Sequence, residues 1–244
     1  MSLVAATPLS PDYIRFLKKE LEILRSFDIP REFYSRDSKR DTLRFCLSEI
    51  TLQRGFVAEF GVHKGDSIRI IADSLPNMLI HGFDSFEGFP DDGRTDWQSD
   101  FSLNGLAPAV PTNVTLHKGF FSESIPGFLL QLDAEAQAAL IHIDCDIYSS
   151  TSDVLRLLSA RIRSGTLIVF DELLHYSGCL HNELLAFYEF VTSHSLRFEW
   201  VGIRGKVLPI DGYFNPPPEL SPLPLRMRDW RILGYEQAVA VRIL

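Results

Sequence analysis

Short runs of apolar residues alternate with longer stretches in which apolar residues recur at helical spacing, and this alternation continues through most of the chain. Apolar runs of about four to eight residues are typical of buried strands, whereas apolar positions three and four residues apart are typical of amphipathic helices. Strands that alternate with helices form a parallel sheet with helices on both faces. The runs that predict parallel strands are Phe56–Val62, Met78–Phe83, Asn113–His117, Leu140–Ile143 and Thr166–Phe170.

The remaining pattern completes the predicted architecture. Two last apolar runs, Arg197–Arg204 and Gln237–Leu244, have no helix between them, so we expect them to pair as an antiparallel edge. The predicted fold is therefore α/β: a doubly wound, mostly parallel seven-stranded sheet with an antiparallel C-terminal edge and N-terminal helices. Residues 1–52 are predicted to be a helical extension, acting as a lid or as packing, and residues 53–244 the main domain. The predicted helices are Tyr13–Phe27, Arg40–Leu52, Ile68–Leu75, Ile125–Leu132, 149–161 and Cys179–Ser193.

Composition and charge narrow the classes of partner. The 244 residues carry a formal net charge of −8, which argues against a nucleic-acid-binding surface. Cys46, Cys145 and Cys179 are widely spaced, a pattern that predicts neither a disulfide framework nor a zinc site. No apolar stretch approaches the ~18 residues that span a bilayer, and the first residues lack a signal-peptide pattern. We therefore expect a cytoplasmic protein that binds neither nucleic acid nor a membrane.

The turn after the first predicted strand has the composition of a nucleoside-binding loop. It places Glu59, Gly61, Gly65 and Ser67 in the order E-x-G-x-x-x-G-x-S, and Asp84 ends the next strand. Glycines allow a ligand to approach the backbone, the following helix offers free N–H groups, and an acid at the second strand end can accept ribose hydroxyls. A carboxylate beside the loop would repel a pyrophosphate and attract an ammonium group. S-adenosylmethionine (SAM) meets these conditions.

Other classes of protein also use such a unit. An ordinary strand–helix–strand unit needs no ligand, and a two-glycine turn alone does not exclude one. A nicotinamide dehydrogenase would carry G-x-G-x-x-G, and a phosphoryl-transfer enzyme a P-loop lysine, for which Lys64 is misplaced. A nucleoside-binding protein without catalytic activity stays open as the alternative to an enzyme.

Acidic residues follow two further strands. Asp144 and Asp146 come after the fourth predicted strand, and Asp171 and Glu172 after the fifth. Strands one, four and five are neighbours in this topology, so the carboxylates should converge beside the nucleoside. Crowded carboxylates need a cation, and an all-oxygen set favours Mg²⁺. The alternative is that some of these acids only cap helices.

Four segments together resemble one family. E-F-G-V-x-x-G-x-S, G-F-D-S-F-E-G-F-P, H-I-D-C-D-I-Y-S-S-T and the strand ending F-D-E are similar to the macrocin O-methyltransferase-like family of class I SAM-dependent methyltransferases. The resemblance covers about residues 50–195 and implies that Ser85, Phe86, Gly119 and Phe120 surround the ribose and adenine of SAM, with Asp144 also in the donor pocket. It implies Mg²⁺ on Asp144, Asp171 and Glu172, although members carry an aspartate where this chain has Glu172.

The resemblance implies transfer of a methyl group to a hydroxyl of a small sugar-like or polyol-like molecule. Asp144 would help to activate that hydroxyl, and Asp146 or His175 would remove its proton. His142 alternates with Ile141 and Ile143, which predicts a packing role, and Tyr148 either orders the acceptor or fills space. The aromatic N-terminal region is a candidate face for a homodimer.

Overall fold

The computed structural model describes residues 39–52, 54–93, 101–173, 182–203 and 239–244. The predicted helix Tyr13–Phe27 lies outside the described residues, as does the proline-rich connection between the last two strands. A single 3₁₀ turn, Ser159–Arg161, follows the fourth helix. The elements in chain order are α1 (Lys39–Ser48), β1 (Phe56–Phe60), α2 (Asp66–Ser74), β2 (Ile80–Asp84), β3 (Val114–Lys118), α3 (Phe121–Leu129), β4 (Ala138–Ile143), α4 (Tyr148–Leu157), β5 (Leu167–Phe170), α5 (Glu183–Ser193), β6 (Phe198–Ile203) and β7 (Val239–Ile243).

The strands form one seven-stranded sheet in the order β3-β2-β1-β4-β5-β7-β6. Strands β1 to β5 are all parallel to one another, whereas β7 is antiparallel to both β5 and β6. The predicted doubly wound sheet and its antiparallel C-terminal edge are thus confirmed. The strand order reverses between β1 and β4, and this is the point at which open α/β sheets bind ligands.

The helices cover the sheet in two layers. Helices α1 and α2 pack together on one face, and α4 packs between α3 and α5 on the other. Strands β1, β4 and β5 are buried along their whole length, as expected for central parallel strands covered on both faces. Helix α1 adds Leu43, Cys46 and Leu47 to the core on the α2 face. Among the described residues, no helix is both long and apolar enough to cross a membrane.

The element boundaries lie within four residues of the predicted ones, and α3 is displaced toward the N-terminus at both ends, by four residues at its start and three at its end. The predicted helix Ile125–Leu132 has Pro126 in its first turn, where proline is well tolerated. The observed helix begins at Phe121, so Pro126 lies inside it. Phe121, Ile125 and Phe128 form a stripe at helical spacing that packs into the core on this face of the sheet. Burial of that stripe outweighs the backbone hydrogen bond that the proline removes.

The carboxyl ends of the central strands are fastened to one another by backbone hydrogen bonds. The first residue after each of β1, β4 and β5 donates its N–H to a carbonyl near the end of the neighbouring strand. These bonds, all 2.9 Å long, join Gly61 to Phe83, Asp144 to Phe60 and Asp171 to Ile143. The residues that follow these strands are therefore held in fixed positions along one edge of the sheet.

Candidate functional site

A cavity of about 400 Å³ opens at this edge, above the carboxyl ends of the parallel strands. Its volume lies in the range of small-molecule sites, about 300–1,000 Å³. It is lined by residues that the sequence predicts for the site, together with residues of the loop after β2 and of helices α3 and α4. The lining residues are Gly61, His63, Asp84, Ser85, Gly88, Phe89, Pro90, Asp92, Phe101, Phe120, Phe121, Ser122, Asp144, Cys145, Asp146, Ser149, Ser150, Asp153, Asp171 and Glu172.

The two loop glycines have conformations and contacts that explain their presence. Gly61 has φ +99°, and a Cβ at this position would lie 1.7 Å from the backbone oxygen of Asp144. Gly65 has φ +82° and precedes the first turn of α2, which contains Ser67. Both glycines therefore meet local requirements of the backbone, and Gly61 brings the end of β1 close to that of β4.

Asp84 is held in place by the two loops that flank it. The backbone N–H of His63 donates to its Oδ2 and the backbone N–H of Phe86 to its Oδ1, each at 2.7 Å. Both donors have positive φ, 45° for His63 and 58° for Phe86. Carboxylate oxygens accept more than one hydrogen bond, so both can still accept from a ligand. The carboxylate of Asp84 is thus oriented toward the cavity that it lines.

The other residues predicted to surround the nucleoside have different places in the structure. Ser85 and Phe120 line the cavity. Phe86 is buried beneath it, with an exposed fraction of 1%. Gly119 has φ +135°, and its N–H donates to the backbone oxygen of Asp84 at 3.0 Å. Phe86 and Gly119 therefore shape the backbone around Asp84.

Asp146 lies at the centre of a tight turn between β4 and α4. The N–H of Ile147 donates to the carbonyl of Cys145 at 2.6 Å, and Asp146 has φ +61°. A hydrogen bond that spans three residues around a positive φ defines a γ-turn of the rare, strained kind. Strain of about 1–3 kcal/mol persists where the surrounding structure fixes the backbone, commonly at functional sites. The turn places Asp146 on the cavity wall beside Asp144.

A buried acid lies behind the carboxylates of β5. Glu183 begins α5 with no exposed surface, and its Oε2 accepts the backbone N–H of Glu172 at 3.2 Å. Burial, followed by the charges of Glu172, Asp146 and Asp171, raises the pKa of Glu183 well above its usual range. This environment therefore favours the neutral form of the Glu183 carboxyl. Sequence reasoning missed it because its surroundings, ELLAFYEF, read as a core helix.

His142 and Glu59 form a buried pair below the cavity. The two residues are directly opposite each other in the β1–β4 register, and His142 Nδ1 lies 2.8 Å from Glu59 Oε1. The side chain of His142 is 4% exposed and that of Glu59 is wholly buried. The predicted packing role of His142 accounts for its burial and omits this polar contact. Glu59 does not line the cavity, and its contact with the ammonium of SAM stays a prediction.

The acids at the ends of β4 and β5 fit a divalent cation. His142, Asp144 and Asp171 each offer one potential ligand atom, and these three atoms all lie within 4.8 Å of one another. Ligands at about 2.0–2.2 Å from one ion are separated by at most ~4.4 Å, so a small movement would bring the three atoms into coordination range. Glu172 is buried but is not a member of this group. Its predicted role as a ligand stays a prediction.

The predicted site residues fall into three sets. Gly61, Asp84, Ser85 and Phe120 line the cavity together with Asp144, Asp146, Asp171 and Glu172. Glu59, Gly65, Ser67, Phe86 and Gly119 do not line it. His175 lies outside the described residues. Tyr148 also does not line the cavity, and its hydroxyl donates to Glu189 at 2.7 Å.

Sequence reasoning missed much of the cavity wall. Ser149 and Asp153 are one helical turn apart on α4, and both line the cavity. Their spacing could have been recognised in the sequence once Asp144 had been taken as a site residue. Asp92, in the loop after β2, accepts a hydrogen bond from the Ser149 hydroxyl at 2.8 Å. No local pattern in the sequence indicates that this loop reaches α4.

Comparison with known proteins shows what the part of the chain around this cavity is similar to. Residues 58–173 match a family model described as a methyltransferase domain. A protein of Streptomyces olivaceus, 8-demethyl-8-(2,3-dimethoxy-alpha-L-rhamnosyl)-tetracenomycin-C 4'-O-methyltransferase, is 26% identical over 161 residues, which cover 54% of this chain and 59% of that protein. The chain thus spans less than two thirds of that relative. The crystal structure of CalS11, a calicheamicin methyltransferase, has a TM-score of 0.54 at 19% identity, covering 99% of this chain and 96% of its own, and shows the same fold.

Proposed function

Because residues 58–173 match a methyltransferase domain, we propose that the protein is a SAM-dependent O-methyltransferase acting on a hydroxyl of a small polyhydroxylated molecule. The observation that carries the proposal is one cavity that is lined by acidic residues from two separate parts of the sheet edge. Asp84 lies on one side, where a ribose acid belongs, and Asp144, Asp146 and Asp171 lie on the other. Such a cavity can hold a donor and an acceptor side by side.

The proposed donor site is the part of the cavity around Asp84. Its carboxylate would accept the ribose hydroxyls of SAM, and Ser85 and Phe120 would lie near the adenine. The loop that contains Gly61, Gly65 and Ser67 would lie along the methionine part of SAM. Fixing the carboxylate by two backbone N–H groups reduces the entropy lost when the ribose binds.

The proposed acceptor site is the wall formed by the ends of β4 and β5. The acceptor oxygen attacks the methyl carbon of SAM, the bond from that carbon to sulfur breaks, and S-adenosylhomocysteine leaves. Asp146 takes the proton of the attacking hydroxyl, because its turn holds the carboxylate on the cavity wall. Holding the two substrates together in line supplies much of the rate. His175 stays the predicted alternative base.

We propose that a divalent cation assists this step. Asp144 and Asp171 would hold it, because their carboxylates already lie together at the ends of neighbouring strands. The cation would lower the pKa of the acceptor hydroxyl. Mg²⁺ is the ion expected from the sequence, and Glu172 the third ligand expected from it.

The proposed acceptor is a sugar or a similar polyol. The Streptomyces olivaceus relative is named for a rhamnosyl substrate, and this is the support for a sugar here. The cavity of about 400 Å³ fits a molecule of that size. The net charge of −8 supports a small-molecule partner in place of a nucleic acid. A homodimer through the N-terminal region, and the division at residues 52 and 53, stay predictions.

Calorimetric titration of SAM tests the donor site. We expect wild-type protein to bind SAM, and Asp84→Ala to bind it at least ~10-fold more weakly, because hydrogen bonds to a charged group contribute about 1.5–3 kcal/mol. Asp73→Ala is the matched control, since this exposed acid near the end of α2 does not line the cavity. Thermal unfolding of each variant checks that the fold is intact. Failure of the wild type to bind SAM would overturn the proposal.

Asp146→Asn tests the acceptor side. Asparagine tolerates positive φ nearly as well as aspartate, so we expect the fold and the SAM affinity to be retained. We expect kcat to fall by about 10²–10⁴-fold, the usual contribution of a general base. The assay is release of S-adenosylhomocysteine with a panel of methyl glycosides that includes a rhamnoside. An unchanged kcat would remove Asp146 from the mechanism, and SAM binding without turnover on any glycoside would favour a non-catalytic SAM-binding protein.

A further inference from the structure

His142 has the position and the hydrogen bond of a metal-bound histidine. It lies in the middle of the central sheet, and its Nδ1 is 2.8 Å from a carboxylate oxygen of Glu59. A carboxylate accepts, so this contact assigns the proton to Nδ1 and leaves the lone pair of Nε2 available. Metal-binding histidines are typically oriented in this way, with the second ring nitrogen donating to a carboxylate.

The two acids complete a group of converging donors. His142 lies in β4 and Asp144 is the first residue after that strand, two positions further on, which puts both side chains on the same face of the sheet. Asp171 follows the neighbouring strand β5, and its ligand oxygen lies within 4.8 Å of those of the other two residues. The group thus offers one nitrogen and two carboxylate oxygens from three strand positions.

Glu59 supplies an independent reason for a positive charge at this place. Its side chain is wholly buried, and its Oε2 has no hydrogen-bond partner among the described residues. A buried carboxyl oxygen without a hydrogen-bond partner is costly. A dication held by His142 would place a positive charge close to Glu59 and offset that cost.

We propose that His142, Asp144 and Asp171 bind a first-row transition-metal dication in preference to Mg²⁺. Imidazole suits Zn²⁺, Co²⁺ and similar ions, whereas Mg²⁺ keeps oxygen ligands and water. Glu59 is then the positioning residue that holds the ring. The inference deepens the proposed function, since it names the metal of the acceptor side, but the binding of a metal to these residues requires neither SAM nor an acceptor.

Variants of His142 and Glu172 distinguish a metal site of one histidine and two aspartates from a site made of three acidic residues. Metal-free protein is titrated with Co²⁺ and with Mg²⁺ in wild type, His142→Gln and Glu172→Gln, without SAM or acceptor. We expect wild type to bind Co²⁺ at least ~100-fold more tightly than Mg²⁺. We expect His142→Gln to lose at least ~10-fold in Co²⁺ affinity, whether or not Glu172→Gln also loses affinity. His81→Gln removes a histidine from β2, far from this group, and should leave Co²⁺ binding unchanged.

The opposite pattern would overturn the inference. If Glu172→Gln weakens metal binding and His142→Gln does not, or if Mg²⁺ and Co²⁺ bind equally well, the ligands are the three acids. Pulsed electron paramagnetic resonance of the Mn²⁺-loaded wild type keeps the test valid even if His142→Gln fails to fold. Coupling to an imidazole nitrogen supports the inference, and its absence overturns it. SAM titration of the same samples reports separately on the proposed function.

Discussion

At the scale of single residues, Gly61 shows how a close backbone approach sets the shape of the site. The first residue after β1 meets the carbonyl of Asp144, the first residue after β4, and only a residue without a side chain fits there. The sequence showed a glycine at the start of a nucleoside-binding loop and predicted contact with a ligand. The structure adds a reason that needs no ligand, because two strand ends must come together for the cavity to form.

Gly61→Ala should therefore destabilise the protein itself. A Cβ would lie 1.7 Å from a backbone oxygen at φ +99°, so we expect a loss of about 3–5 kcal/mol in the free energy of unfolding, the sum of backbone strain and overlap. Gly127→Ala is the matched control, since nothing lies within 4 Å of its Cβ position in α3. We expect it to be neutral or stabilising by up to ~1 kcal/mol. Urea unfolding measures both changes, and equal stabilities would contradict the overlap.

The polar residues of the site were predictable to different degrees. Asp84 and Asp144 were readable because an acid directly after an apolar run lies at a strand end, where these folds bind ligands. Glu183 was not readable, because its neighbours are apolar and its burial depends on how α5 packs against the end of β5. The pairing of His142 with Glu59 depends on the register between β1 and β4, which the sequence alone does not give.

At the scale of elements, two histidines join β2 to the edge strand β3. His81 Nδ1 and His117 Nε2 are 3.0 Å apart, and Phe128 of α3 packs against both rings. Burial, followed by the neighbouring His117, lowers the pKa of His81 from 6.5 to about 4, and burial lowers the pKa of His117 as well. The pair stabilises the sheet edge in its neutral form and weakens it once either ring is charged.

This pair predicts an acid-sensitive sheet edge. Between pH 6.5 and about 4 the unfolded chain binds a proton at position 81 that the folded chain does not, so stability falls as the pH drops through this window. His81 is partly exposed, so we expect this residue to contribute about 1–2 kcal/mol. We expect His81→Gln to lose less stability than the wild type between pH 7 and pH 4.5, by urea unfolding. The carboxylates titrate in both proteins and cancel in the comparison, so parallel pH profiles would contradict this prediction.

Elements were easier to predict than their limits. Every described strand lies within a predicted apolar run or within a few residues of one, because burial on both faces of a sheet leaves a continuous apolar signal. The start of α3 was wrong by four residues, because the helix begins at Phe121 and so places Pro126 inside it. A proline inside a helix costs about 3 kcal/mol, which the burial of two large side chains, Phe121 and Phe128, can offset at about 1.5–3 kcal/mol each.

At the scale of the whole molecule, the order of the strands follows from the chain pattern and a few topological rules. Alternating strands and helices predict a parallel sheet, and the right-handed crossover rule leaves few arrangements. The expectation that strands one, four and five are neighbours is confirmed by the observed order. The sequence does not reveal the contact between Asp92 and Ser149, because it joins segments 57 residues apart.

The cavity is acidic, as is the chain as a whole. Among the described lining residues, His63 is the only basic one. Seven acidic residues line the cavity: Asp84, Asp92, Asp144, Asp146, Asp153, Asp171 and Glu172. The formal net charge of −8 adds to the same field. In the proposed reaction this field would attract SAM through its sulfonium. S-adenosylhomocysteine has lost that charge with the methyl group, so methyl transfer would itself weaken the attraction and favour release of the product.

The charge argument predicts a difference in salt dependence between donor and product. Salt at 1 M shortens the screening length to about 3 Å, from about 30 Å at 0.01 M, so added salt should weaken SAM binding more than S-adenosylhomocysteine binding. In metal-free protein we expect the ratio of their affinities to fall by about 3–10-fold between low and high salt, by calorimetry. Asp92→Asn, which removes one cavity charge, should reduce this fall, and Asp73→Asn, outside the cavity, should not. A ratio that does not change with salt would mean that contacts at short range, and not the field of the cavity, distinguish the two ligands.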